Sequence, residues 1–264
     1  MRHNNIPIYS KKDFEDMRLA GSLAAHVLDS LYDKIHPGVS TLEINDICHD
    51  IIIKNNATPA PLNYKGFPKS VCTSVNHVVC HGIPSDSKIL EEGDIVNVDV
   101  TVILNGWYGD SSRMFVAGKT NKKNYEFLKI TYESLLIGIS EAKPGKHIGD
   151  IGNKIQKLAE GKGYSVVRDF CGHGIGKEFH TPPSVLHFGE PGEGPRLEPG
   201  MFLTIEPMIN LGSWQTKILN DGWTAVTKDK SLSAQFEHTI GITKDGNEIF
   251  TLSKNNTAFP IKDI

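Results

Sequence analysis

An α/β (α+β) domain of two similar halves is the fold this sequence predicts. Three observations predict it: a strand hairpin over residues 95–110, an internal repeat, and the same order of helices and strands in each half.

The hairpin lies in IVNVDVTVILNGWYGDSSR. Val96, Val98, Val100 and Val102 face one way, and Asn97, Asp99 and Thr101 the other, an alternation that reads as a half-buried strand. Asn105-Gly106 is a strong hairpin signal, because both turn positions require positive φ. A two-residue turn pairs Leu104 with Trp107 and sets Thr101 opposite Asp110. Asp110 then shares a face with Asp99, one diagonal step away, with Cβ atoms roughly 7 Å apart or less. Two carboxylates converging there repel each other and lose hydration, so one is protonated or a cation sits between them. From the hairpin alone, a metal site and a polar face that simply meets water stand as equal alternatives.

The repeat relates LEEGDIVNVD (90–99) to LEPGMFLTIE (197–206). The offset that carries Leu90 to Leu197 also carries Pro37-Gly38 to Pro144-Gly145, Ile44 to Ile151 and Asp99 to Glu206. A helical pattern precedes each Pro-Gly. In the first half Phe14, Met17, Leu23, Val27 and Leu31 fall at helical spacing behind a Ser10 N-cap; the second runs over roughly 123–142. A second amphipathic helix follows each Pro-Gly. Ser40 and Glu43 form a capping box ahead of the stripe Ile44, Cys48, Ile51, and Ile151, Ile155 and Leu158 repeat it. No linker composition separates the halves, so residues 1–264 read as one domain with internal halves of about 10–118 and 119–250. A pseudo-twofold arrangement places its site between them. Asp99 and Glu206 then point into one cleft, and AQFEHTIGIT (234–243), read as a strand with Gln235, Glu237 and Thr239 on one face, makes Glu237 the counterpart of Asp110.

Composition bounds the function class. With 39% hydrophobic and 22% charged residues the chain has ample core, and a net charge of −3 leaves no basic footprint for nucleic acid. The four cysteines, Cys48, Cys72, Cys80 and Cys171, show no CxxC or zinc-finger spacing, which favours a reducing compartment over a disulfide framework. The N-terminus lacks an apolar signal segment, and no apolar run approaches the ~20 residues of a membrane span. A cytoplasmic protein is expected.

His173, in CGHGIG, completes the candidate set. A lone histidine in a glycine-rich loop is more often a hydrogen-bonded turn residue than a ligand; the four carboxylates Asp99, Asp110, Glu206 and Glu237 change that weighting. Their four negative charges balance two divalent cations, and an oxygen-rich set with one imidazole suits Mn, Fe, Co or Zn rather than a thiolate zinc site.

At these residues the chain resembles the methionine aminopeptidases of bacterial type I, over nearly its whole length. The matching segments are NYKGFPKSVCTSVN (63–76), VVCHGIP (78–84), VDVT (98–101), GDSSR (109–113), CGHGIG (171–176), FHTPP (179–183), TIEP (204–207) and QFEHT (235–239). The resemblance implies a pita-bread fold, with two pseudo-twofold halves around a central antiparallel sheet. It implies a metalloaminopeptidase that removes the initiator methionine from nascent proteins and prefers a small second residue. Asp99, Asp110, His173, Glu206 and Glu237 match the metal ligands, and a metal-bridging hydroxide attacks the first peptide bond. Glu206 matches the proton shuttle, His180 the histidine that holds the scissile carbonyl, and His81 one that meets substrate near the scissile nitrogen; Thr101 stands beside Asp99 as a supporting residue. Tyr64, Phe67, Cys72, Phe179 and Trp223 match the lining of the methionine pocket. Asn76, Val78 and Ser233 match a monovalent cation site for Na or K. Lys65 and Phe67 fill positions where relatives often carry His and Tyr, which implies a different substrate affinity. A monomer, with the ribosome as a partner, is the family expectation. The competing readings are a non-catalytic pita-bread binding protein and a peptidase like aminopeptidase P or prolidase.

Overall fold

The computed structural model describes residues 6–254. The first half runs α1 (Lys11–Ser30), α2 (Thr41–Lys54), β1 (Thr58–Pro59), β2 (Cys72–Val75), β3 (Val78–Cys80), β4 (Ile95–Leu104) and β5 (Trp107–Val116). The second runs α3 (Lys122–Glu141), α4 (Ile148–Gly161), β6 (Ser165–Val166), β7 (Gly172–Gly174), β8 (Thr181–Val185), β9 (Phe202–Ile205), β10 (Met208–Asn210), β11 (Thr216–Ile218), β12 (Ala225–Thr227), β13 (Ser233–Gln235), β14 (His238–Ile242) and β15 (Asn247–Ile249). Among the described residues no helix is long and apolar enough to cross a membrane.

The helices start where their caps dictate. Ser10 N-caps α1, and Ser40 N-caps α2 in a capping box, its hydroxyl accepting from the Glu43 N–H at 3.1 Å. Asn121 caps α3, accepting from the Asn124 N–H at 2.9 Å.

The repeat is a repeat of structure. α2 and α4 occupy matching positions, and the bridges Ser40–Ile89 and His147–Arg196 are equivalent. Gly38 N–H donates to Leu90 O at 2.8 Å, and its counterpart Gly145 N–H to Leu197 O at 2.9 Å. α1 and α3 are both 20 residues long. Each half has its own core: Val27, Leu28, Ile44, Ile52 and the four β4 valines in one, Leu135, Ile151, Ile155, Leu203 and Ile240 in the other.

The β4–β5 hairpin has the expected register, with Leu104 opposite Trp107 and Thr101 opposite Asp110. Asn105 and Gly106 take φ of 52° and 82° at the turn. The strand is not half-buried, however. Asn97 and Thr101 are as enclosed as the valines behind them, because the second half covers the polar face. Asn97 Nδ2 donates to Gln235 O at 2.8 Å across that junction.

Residues 234–243 do not form one strand. β13 pairs with β10, β14 pairs with β9, and the ladder is interrupted on both sides, at Glu206-Pro207 and at Phe236-Glu237. Pro207 has no N–H to give a ladder. Glu237 turns to the other half instead: its N–H donates to Ser112 O at 3.0 Å, and the Ser111 hydroxyl donates to Glu237 O at 2.8 Å. The two halves are therefore joined through β5 at the level of the acidic residues.

Candidate metal centre

Asp99, Asp110, His173, Glu206 and Glu237 all line one cavity of about 610 Å³ between the halves. Asp99 and Asp110 come from the centres of β4 and β5, His173 from β7, and Glu206 and Glu237 from the two ladder interruptions. Asp110, His173 and Glu237 each offer a ligand atom, all within 4.8 Å of one another. His173 Nε2 lies 3.6 Å from Asp110 Oδ2 and 3.7 Å from Glu206 Oε1, too far for hydrogen bonds and suited to donors around a shared centre.

Supporting hydrogen bonds aim these groups. His173 Nδ1 lies 3.0 Å from Gly174 O, so it carries the ring proton and leaves the Nε2 lone pair facing the carboxylates. Thr101 Oγ1 donates to Asp110 Oδ1 at 2.7 Å. Thr204 Oγ1 accepts the His173 N–H at 2.9 Å and donates to Glu206 Oε1 at 2.7 Å. Gln235 Nε2 donates to Glu206 Oε2 at 3.1 Å.

The electrostatics call for a cation. Burial, reinforced by the neighbouring carboxylates, holds Asp110 and Glu237 well above the usual carboxylate range. Burial pushes Asp99 up to about 7 and Glu206 up to about 8. Burial pushes His173 down to about 4, so its imidazole is neutral and can serve as a ligand. Like charges gathered out of water are stabilised by divalent ions, and this oxygen-rich set with one imidazole fits them.

Around the centre stands a wall of rings. Phe67 meets Trp223 edge-on at 5.3 Å, Tyr64 lies 4.9 Å from Phe179, and His81 contacts Trp223 and Phe170. Cys72 is the cross-strand neighbour of Asp99, which brings its thiol to the cavity. His180 is exposed at the mouth, with Nδ1 3.0 Å from the Tyr64 hydroxyl and its ring 4.2 Å from that of His173. Desolvation of its ring against the cavity wall, with His173, Lys65 and His81 nearby, pushes its pKa down to about 3. His81 has a positive φ of 56°, and a Cβ on the adjoining Gly82 would collide with Thr73 O. That backbone is held in a sparsely allowed conformation beside the cavity. Asn76 and Ser233 are brought together by a Ser233 N–H to Asn76 O bond of 2.8 Å, with Val78 beginning the next strand.

Sequence reasoning missed Cys80, Phe170 and Met208, which also line the cavity. Adjacency was the available signal: Cys80 precedes His81, and Phe170 lies three residues before His173. His187 also stands outside the predicted set; it is buried and accepts the Glu206 N–H at Nε2, 3.1 Å away.

Residues 15–244 match the model of metallopeptidase family M24. A methionine aminopeptidase of Rickettsia prowazekii (strain Madrid E) is 57% identical over 256 residues, 97% of this chain and 98% of that protein. The crystal structure of methionine aminopeptidase from Rickettsia prowazekii superposes with a TM-score of 0.93 at 58% identity, covering 94% of this chain and 100% of the other. A Xaa-Pro dipeptidase from Bacillus anthracis, at 24% identity and a TM-score of 0.74, shares the fold alone, and this chain covers 64% of it. The architecture is the pita-bread fold, and M24 membership carries the use of divalent metal. The chain belongs to the methionine aminopeptidases of metallopeptidase family M24.

Proposed function

We propose that this chain hydrolyses the first peptide bond of new polypeptides, releases their N-terminal methionine, and does so with the five gathered residues. The observation that carries this reading is four carboxylates, two of them buried, and a neutral imidazole converging beside an aromatic pocket. Asp99, Asp110, His173, Glu206 and Glu237 would hold two divalent ions, of Co, Mn, Fe or Zn. When bound, the ions lower the pKa of a water molecule and polarise the scissile carbonyl.

The other steps belong to the side chains. Glu206, oriented by Thr204 and Gln235, accepts a proton from the attacking water and returns it to the leaving nitrogen as the C–N bond breaks. With the Tyr64 hydroxyl donating to His180 Nδ1, the ring proton rests on Nε2 and is offered to the carbonyl oxygen as negative charge develops there. His180 is neutral at pH 7, so it acts as a hydrogen-bond donor and not as an acid. His81 meets the substrate near the scissile nitrogen. Tyr64, Phe67, Cys72, Phe179 and Trp223 form the slot for the methionine side chain, whose flexible thioether suits aromatic walls. A small second residue is preferred, because it must pass the rim that the hydrogen-bonded pair His180 and Tyr64 forms.

Asn76, Val78 and Ser233 would hold a Na or K ion through backbone oxygens. The whole chain acts as one domain, as a cytoplasmic monomer that meets its substrates at the ribosome. The test is methionine release from a Met-Gly-Gly peptide by chelator-stripped protein, before and after metal is restored. Release that returns with metal supports the reading; release that is indifferent to metal overturns it.

A further inference from the structure

Lys65 is the one Lys or Arg among the described residues lining the cleft. It lies at the outer end of a line of side chains that leads from the centre to solvent. Asp110 and Glu237 are buried, His173 is half-buried, and His180 and Lys65 are exposed. The steps along that line are the 4.2 Å approach of the His173 and His180 rings, the 3.0 Å contact of His180 with the Tyr64 hydroxyl, and Lys65 Nζ 5.2 Å from the Tyr64 ring centroid. The backbone fixes this placement, for Lys65 has a positive φ of 48° within a one-turn 3-10 helix, Tyr64–Gly66.

An extended peptide advances about 3.3 Å per residue, with successive side chains on opposite sides. If its first carbonyl rests at His180, its second residue passes Tyr64 and its third reaches the position of Lys65. The rim also carries Asp169, but that carboxylate is engaged by Thr216, whose Oγ1 donates to Oδ2 at 2.6 Å. The ammonium of Lys65 has no such partner among the ion pairs of the described residues.

We propose that Lys65 selects among substrates by their third residue and favours peptides with Asp or Glu there. This rests on the aminopeptidase reading above. A charge at the rim, far from the breaking bond, is felt equally by substrate and transition state, so its effect lies in KM. Exposure limits it to about two- to fivefold.

The test compares Met-Gly-Asp-, Met-Gly-Gly- and Met-Gly-Lys-containing peptides on the metal-loaded enzyme. Expected is a kcat/KM order of Asp above Gly above Lys, carried by KM and flattened by ~0.5 M NaCl. Lys65→Asn, in which Asn tolerates positive φ, should level the three, each read as a ratio to Met-Gly-Gly within the same variant. Lys65→Arg should keep the order, and Lys65→Glu should reverse it. An order that survives in Lys65→Asn, or no order in the unaltered protein, overturns the proposal. Failure of Met-Gly-Gly itself would instead overturn the aminopeptidase reading.

Discussion

The backbone N–H of Glu206 donates to Nε2 of the buried His187 at 3.1 Å. Glu206 falls in the gap between β9 and β10, where strand pairing is interrupted, so this N–H has no strand partner and a histidine takes its place. Accepting at Nε2 requires a neutral ring, and burial keeps it neutral by pushing its pKa down to about 3.

His187→Ala therefore leaves a buried donor unsatisfied, at a cost of about 1–3 kcal/mol. Both thermal stability and kcat should fall, with KM for a Met-Gly-Gly peptide little changed. His187→Gln, which can still accept, should recover part of the loss. A His187→Ala enzyme with normal kcat would show that the contact does not position Glu206.

Thr101→Val removes the hydrogen bond to Asp110 Oδ1 and keeps the shape of the side chain. Metal affinity should drop by about 10–100-fold, as for other residues that orient a ligand. Glu237→Gln should go further and lower the number of ions bound per chain at saturation. Metal analysis after dialysis reads both, and unchanged stoichiometry in Glu237→Gln would refute a shared centre.

The stability of metal-stripped protein should depend on pH in a defined window. Asp99 and Glu206 have folded pKa values of about 7 and about 8, above their ordinary 3.8 and 4.5. Such groups favour the folded state below their unfolded pKa, and this advantage is lost as pH rises through the folded value. The depressed histidines act in the opposite sense, but only below their ordinary 6.5. Between pH 6.5 and about 8 the carboxylates act alone, and the melting temperature should fall with rising pH by about 4 °C or more. Added Mn or Co should restore it most at the upper end, because ions bind the folded state. A melting temperature flat across that window would contradict the buried acidic cluster.

Tyr64→Phe removes the hydroxyl at His180 Nδ1 and frees the ring to change tautomer. A fall in kcat of about tenfold is expected, smaller than for His180→Ala, which loses the transition-state contact altogether. Effects confined to KM in both variants would mean that the pair only binds substrate.

Much of this was legible in the chain. The valine alternation and Asn105-Gly106 set the β4–β5 register, and the offset from Leu90 to Leu197 set the matched bridges of the two halves. Contacts between distant segments were hidden. Nothing local to Asn97 says that Gln235 O will cover it, so the strand read as half-buried when both its faces are enclosed. Glu237 read as part of a continuous strand because its change of partner to Ser112 is a tertiary event. His187 was passed over because its role depends on an interruption twenty residues later in the chain that only Pro207 signals.

The most direct measurement is release of the first residue from Met-Gly-, Leu-Gly- and Ala-Pro-type peptides by stripped protein resupplied with Mn, Co, Fe or Zn. The five-residue centre and its aromatic pocket predict metal-dependent release of methionine alone. Release from the Ala-Pro peptide with none from Met-Gly would contradict it, leaving the metal centre in place and removing the methionine pocket.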